Sequence, residues 1–166
     1  MPEKITQPKE LFVHHLNSIL FVEETLTNEV LPELLGNVES PDLKQDIEHH
    51  LEETRQHVQN VREVFKMLGE SPSPTKNEVL NGLGKEYHEG LQKIEGSALR
   101  DLFHTGVIAK NEHVEIAAYN GLIEMAKELD EDEIANLLNE NLDHEEEALK
   151  KAEKGMKKLL KDKVAA

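Results

Sequence analysis

Glu23, Glu53, Glu112, Glu115 and Glu145 are spaced so that, on helices, each lies on or beside the face that turns inward. An ionised carboxylate buried without a partner costs several kcal/mol or gives up its charge. Packing alone does not account for several of them in one core. Cations bridging the carboxylates would remove the penalty, and no Lys or Arg lies on the same faces to do so. Histidines extend the pattern. His50, Glu53 and His57 form one stripe at i, i+3 and i+7, and Glu112, His113 and Glu115 follow closely in a later segment. Imidazole mixed with carboxylate suits iron, manganese or zinc better than calcium or magnesium. Tyr119, four residues after Glu115, reads as a core tyrosine whose hydroxyl bonds a site carboxylate. His50, His113 and His144 are candidates to bond the ligands from outside. His14, His49, His88 and His104 read as surface or hydrogen-bonded residues, and Glu24, Glu146 and Glu147 as solvated faces.

Four long helices must carry these groups. Phe12, Leu16, Ile19, Glu23, Leu26 and Val30 recur at spacings of four and three, the seam of a bundle helix starting near Pro8 and stopping near Gly36-Asn37. Ser40-Pro41 reads as an N-cap and first-turn proline. The second helix follows through Leu43, Ile47, His50, Thr54, His57 and Val61 to Leu68-Gly69. Pro72 and Pro74 mark a break. Between it and Gly96 the sequence predicts a crossover with two short helical pieces, Lys76 to Leu83 and Lys85 to Ile94, separated at Gly82 and Gly84. The third helix spans about Ser97 to Leu129, with a seam through Ala98, Leu102, Thr105, Ala109, Glu112, Ile116, Tyr119, Ile123 and Ala126. The acidic turn Asp130-Glu131-Asp132 leads to a fourth, with Ile134, Leu138, Asn141, Glu145, Ala148, Ala152 and Leu159 inward. A crossover of this length can traverse a bundle. The expected fold is therefore all-α, a ferritin-like antiparallel four-helix bundle with one long connection between helices 2 and 3. A single domain over 1–166 is expected, with its core at about 8–160, the crossover at 69–96 and frayed termini.

Height along the bundle supports the same grouping. Glu23 and Glu53 lie about 15 residues on either side of a turn near residues 37 and 38, and Glu115 and Glu145 about 15 on either side of residue 130. At 1.5 Å per residue each pair sits at one level.

Composition narrows the function classes. Aromatics are only 4% and charged residues 32%, which fits aliphatic helix cores with wide polar faces. The net charge of -15 argues against a nucleic-acid partner. No stretch approaches the roughly 18 apolar residues of a membrane span. With no cysteine there is no disulfide, thiolate metal site or cysteine nucleophile, in keeping with a soluble cytoplasmic protein.

The stretch His50-Leu51-Glu52-Glu53-Thr54 with His57 resembles the second-helix motif of the YciE/YciF family of stress proteins. So do Phe21 to Leu26 in the first helix and Glu112 to Tyr119 in the third, the most specific of the three. The likeness runs over roughly residues 8 to 155. The family is similar in fold to rubrerythrins and ferritins, and the resemblance implies a di-metal carboxylate site, a homodimer and a part in stress responses. The polar segment 76–96, hard to bury in one bundle, also favours the dimer. Two departures from the wider ferritin-like pattern stand out. The histidine follows Glu53 at i+4, with Gln56 at i+3, and helix 4 has Ala148 three residues after Glu145.

The metal ligands expected are Glu23, Glu53, His57, Glu112, Glu115 and Glu145. Glu53 and either Glu115 or Glu145 would bridge, Glu23 and Glu112 would be terminal, and His57 would supply nitrogen. Two iron ions are the expected cofactor, with manganese or zinc as alternatives and dioxygen or peroxide as partner. The competing expectation is a non-catalytic helical stress protein with a weak or vestigial site.

Overall fold

The structure, a computed structural model, describes residues 4–164, and side chains as far as residue 162. The expectation of frayed termini falls on residues outside that range. Among the described residues every regular element is helical. Helix α1 (Pro8–Thr25) passes through a π-helical turn at Leu26–Val30 into α2 (Leu31–Asn37), making one interrupted rod. Pro8 stands in the first turn, and the Glu10 carboxylate accepts from the backbone N–H groups of Thr6 and Gln7 at 2.7 and 3.0 Å, closing the N-terminus. Ser40 Oγ accepts from Leu43 N–H at 3.4 Å to cap α3 (Pro41–Leu68), which stops at Gly69 in the left-handed conformation, φ 69°.

The connection from α3 runs back along α1. Asn17 holds it, its carbonyl oxygen accepting from Thr75 N–H at 3.1 Å and its Oδ1 from Ser73 N–H at 2.7 Å. Where two helical pieces were expected there is one helix, α4 (Glu78–Leu91), running through Gly82 and Gly84. Each interior glycine costs about 1 kcal/mol relative to alanine. The Asn77 cap on Leu80 N–H at 2.9 Å and the burial of Leu80 and Tyr87 offset that cost. Tyr87 stacks on Phe103, and its hydroxyl lies 3.4 Å from His104 Nε2, tying the crossover to the bundle.

Helices α5 (Ser97–Glu128) and α6 (Asp132–Val164) form the second hairpin, with Asp130 at φ 59° in the turn. The two hairpins close into a square in which α1 packs on α3 and α5, and α6 packs on the same two helices. Asp101, near the start of α5, accepts from Glu39 and Ser40 N–H at 3.0 and 2.8 Å. The beginning of α5 therefore sits at the α2–α3 turn, and α3 and α5 run in the same direction. This is the ferritin-like bundle with one long crossover.

Two seams differ in detail from the sequence reading. On the first rod, Phe12, Leu16, Ile19, Glu23 and Leu26 are buried as expected, but Leu31 rather than Val30 comes next, followed by Leu34 and Val38. The π turn accounts for this, because it absorbs one extra residue and a step of five replaces a step of four. On α5 the buried stripe runs through Asp101, Thr105, Ile108, Glu112, Glu115, Tyr119, Leu122 and Ala126. Leu102, Ala109 and Ile116 turn half outward. α5 carries apolar residues all round, so its sequence does not single out one face.

Candidate metal centre

Each of the four long rods contributes a buried polar group at mid-height. Glu23 comes from α1, His50 and His57 from α3, Glu112 and Glu115 from α5, and Glu145 from α6. Their geometry centres on Glu145. Its Oε1 lies 2.9 Å from His57 Nδ1, which is also 3.5 Å from Glu23 Oε1. Its Oε2 lies 3.6 Å from His50 Nε2, which is 3.2 Å from Glu112 Oε1. The result is two groups of three donor residues, Glu23/His57/Glu145 and His50/Glu112/Glu145, that share one carboxylate. Glu115 is fully buried beside Glu23, Glu112 and Glu145.

Protons and imidazoles balance the charge within the protein itself. Burial opposes the charged form of His57, but Glu23 and Glu145 reverse that and raise its pKa from 6.5 to about 10. Burial likewise works against a charged His50, and Glu112, Glu53 and Glu145 raise it well above 6.5. Burial drives Glu115 well above the ordinary carboxyl range, with the neighbouring carboxylates adding to it. Burial also raises Glu145, against the pull of His57. Glu112 goes the other way, because His50 outweighs its burial. No lysine or arginine is needed; the imidazoles are the cationic partners.

The hydrogen bonding leaves much of the donor set free. Both oxygens of Glu115 and of Glu145, and Oε2 of Glu23 and Glu112, are buried without a hydrogen-bond partner. His57 Nδ1 is within ion-pair reach of Glu145 but off the hydrogen-bond line. Buried polar atoms are rarely left this way in folded proteins. Oxygen and imidazole donors converging from four helices fit a divalent transition metal, and two three-donor groups sharing a carboxylate fit a pair.

A polar frame holds the ligands from behind. The Tyr119 hydroxyl donates to Glu23 Oε1 and accepts from Asn141 Nδ2 at 2.9 Å. Asn141 Oδ1 accepts from Asn60 Nδ2 at 2.7 Å, and Asn60 Oδ1 accepts from Gln56 Nε2 at 2.8 Å. His144 Nδ1 lies 3.1 Å from His57 Nε2, and the two rings stack at 5.3 Å.

Most of the residues singled out from the sequence come together here: Glu23, His57, Glu112, Glu115 and Glu145, with His50, Tyr119 and His144. Glu53 lies at the rim, its side chain 13% exposed, between His49 Nε2 at 3.0 Å and His50 Nδ1 at 3.7 Å. It is not in either three-donor group; the shared carboxylate is Glu145. The expectation of equal height for Glu23 and Glu53 is corrected for the same reason. Glu23 meets His57, so the first hairpin is symmetric about residue 40 rather than 37 or 38, shifted by the π turn and the extended link at Val38. On the second hairpin the centre near 130 holds, as the contact of Tyr119 with Asn141 requires. His113 is exposed and does not support the site. The sequence reading placed Asn141 on its seam without a chemical role; a buried asparagine between Leu138 and Glu145 was the available signal.

The likeness to known proteins is extensive. The family described as "Domain of unknown function (DUF892)" matches residues 7–165. Protein YciF of Escherichia coli (strain K12) is 30% identical over 142 residues, covering 82% of each chain. The chain belongs to the YciE/YciF family. Solved structures of relatives agree. The Escherichia coli stress protein YciF is 26% identical, with a TM-score of 0.85 over 95% of this chain and 99% of that one. YcfI from Rhodopseudomonas palustris is 33% identical, with a TM-score of 0.88 over 92% and 97%. As a YciE/YciF-family bundle, the protein has no helix among its described residues long and apolar enough to cross a membrane.

Proposed function

We propose that this YciE/YciF-family protein holds two metal ions, iron foremost and manganese or zinc as alternatives, and uses them in dioxygen or peroxide chemistry or Fe(II) oxidation during a stress response. The observation that carries the reading is the pair of three-donor groups sharing Glu145, with buried carboxylate oxygens that have no hydrogen-bond partner. Glu145 would bridge, with Glu115 beside it. Glu23 and His57 would serve one position, and Glu112 and His50 the other. Bound iron or manganese would supply open coordination positions and a change of oxidation state, whereas zinc would supply Lewis acidity alone. The protein's own part is positioning. His144 at His57 Nε2 keeps Nδ1 turned to Glu23 and Glu145, and Tyr119 orients Glu23 while Asn141 orients Tyr119. The family relationship supports the stress role.

Metal analysis of protein purified without chelator tests the reading, followed by absorbance during aerobic Fe(II) addition. About two metals per chain and an oxidation rate above the buffer blank are expected, both lost in Glu145→Gln. Metal-free protein that also fails to bind added Fe(II) or Mn(II) would sink it. The second reading, a non-catalytic helical stress protein, would then stand on the charge balance His50 and His57 already provide. On the primary reading the protein works as a cytoplasmic homodimer without nucleic-acid or membrane partners. Family likeness and exposed apolar side chains such as Val79 and Leu99 support the dimer. Light scattering at micromolar concentration checks it, and a monomer would count against it.

A further inference from the structure

We infer that Glu53 and His50 form a two-donor loading site for a divalent cation at the surface end of the metal centre, with His49 on its solvent side, separate from the two resident positions. The inference rests on the two-metal reading and deepens it. Glu53 spans an exposed imidazole and a buried one. Its Oε1 is 3.0 Å from His49 Nε2, on a side chain 56% exposed, and its Oε2 is 3.7 Å from Nδ1 of His50, which is 5% exposed overall. That Nδ1 is buried, has no hydrogen-bond partner and faces Glu53. The opposite ring nitrogen of the same histidine faces Glu112 and Glu145 at 3.2 and 3.6 Å. One imidazole thus presents a donor to the rim and a donor to the interior.

The path to solvent is on the same side. A narrow cleft beside α3 and α6, its walls mostly apolar with Leu31, Leu43 and Ile108 among them, carries Asp46, His50, Glu53 and Lys151. Asp46 adds negative charge at its mouth, and the one cation there, Lys151, is held by Glu147 at 3.0 Å. With Lys151 paired, the carboxylates of Asp46 and Glu53 raise the local cation concentration and speed capture. A cation bound between Glu53 Oε2 and His50 Nδ1 would be about one imidazole's width from Glu112 and Glu145. Binding there would displace the Nδ1 proton, and the ion would pass inward by taking Nε2 in place of Nδ1 as the Nε2 proton moves to Glu112 or Glu145 and Nδ1 is reprotonated. Every residue in the sequence Glu53, His50, Glu112 is then used, including the rim glutamate that neither resident group needs.

Loading kinetics separate a transit residue from a resident ligand. Chelator-treated protein is mixed with Co(II), the visible absorbance of the bound ion is followed in time, and metal content is measured after equilibration. Glu53→Gln is expected to slow loading by roughly tenfold or more while reaching the wild-type metal content. Glu48→Gln, which removes an exposed acid from the same helix, should load at the wild-type rate. Circular dichroism confirms that each variant is folded. Loading of Glu53→Gln as fast as wild type overturns the inference, and so does equal slowing by Glu48→Gln. Loss of metal from Glu53→Gln at equilibrium also overturns it, making Glu53 a resident ligand. A wild-type chain that takes up no Co(II) overturns the two-metal reading itself, and this inference with it.

Discussion

The hydroxyl of Tyr119 donates to Oε1 of Glu23 across the bundle, and both residues are 0% exposed. The phenol oxygen of Tyr119 in turn accepts from Asn141 Nδ2, so one side chain joins α1, α5 and α6 at the level of the metal centre. Burial first, and then the charge of Glu23, raise the tyrosine pKa well above 10, so it is a neutral donor throughout the working range.

Tyr119→Phe leaves Glu23 Oε1 and the amide of Asn141 short of a partner in a buried core. Leaving a buried polar group unsatisfied costs about 1–3 kcal/mol, and urea unfolding of the chelated protein should show a loss of that order. An unchanged midpoint would mean that this bond does not anchor the site.

Glu23 and Glu24 are adjacent acids with opposite expected effects. Glu24 is on the surface, 2.7 Å from Arg62, and such pairs contribute about 0–1 kcal/mol. Glu24→Ala should therefore retain metal and lose little stability. Glu23→Ala should lose metal from the Glu23/His57/Glu145 group. Equal metal content in the two variants would show that the α1 face is not part of the centre.

Chelated protein should lose stability as pH rises from 7 to 9. The folded chain keeps the His57 proton up to about pH 10, whereas an unfolded histidine releases it near 6.5. That stabilisation is complete below 6.5 and disappears as pH passes through the folded value. His50, Glu115 and Glu145 are also raised, so they act with the same sign. Glu112 is lowered, and its contribution is lost on acidification below 4.5. Bound metal replaces these protons, and at 100 times its dissociation constant it adds about 2.7 kcal/mol. Melts of chelated and Mn(II)-loaded protein at pH 7 and pH 9 should therefore diverge as pH rises. Parallel melting temperatures would contradict the proton-for-metal exchange.

Deleting Asn28, an exposed residue of the π turn, should leave the fold intact. The turn holds one residue more than an α-helix needs, so removing one restores a step of four from Leu26 to the present Leu31 and keeps Leu34 and Val38 inward. A melting temperature within a few degrees of wild type is expected. Unfolding of the variant would mean that the π turn is required for packing, not merely accommodated by it.

The long helices and their crossover were legible because four-three spacing, Ser40-Pro41, Gly69 and the prolines at 72 and 74 are local signals that bundle packing reinforces. On α3 every expected inward residue, Leu43, Ile47, His50, Thr54, His57 and Val61, is buried, because polar and apolar positions there separate cleanly around the helix. On α5 they do not. Only packing against α1 and α6 could decide that Glu115 and Ile108 face the core while Ile116 and Ala109 turn half outward.

The sequence by itself determined that several carboxylates and at least one histidine must share the interior of a four-helix bundle, since helical periodicity settles which residues turn inward. Which of them meet was decided only in three dimensions. Height across a hairpin depends on where the chain turns and how many residues each helical turn consumes. A single extra residue in the π turn and an extended link at Val38 set His57, rather than Glu53, opposite Glu23. That shift leaves Glu53 at the rim and puts Glu145 between two imidazoles, because a displacement of one helical turn, about 5.4 Å, exceeds the reach of a carboxylate to its partner.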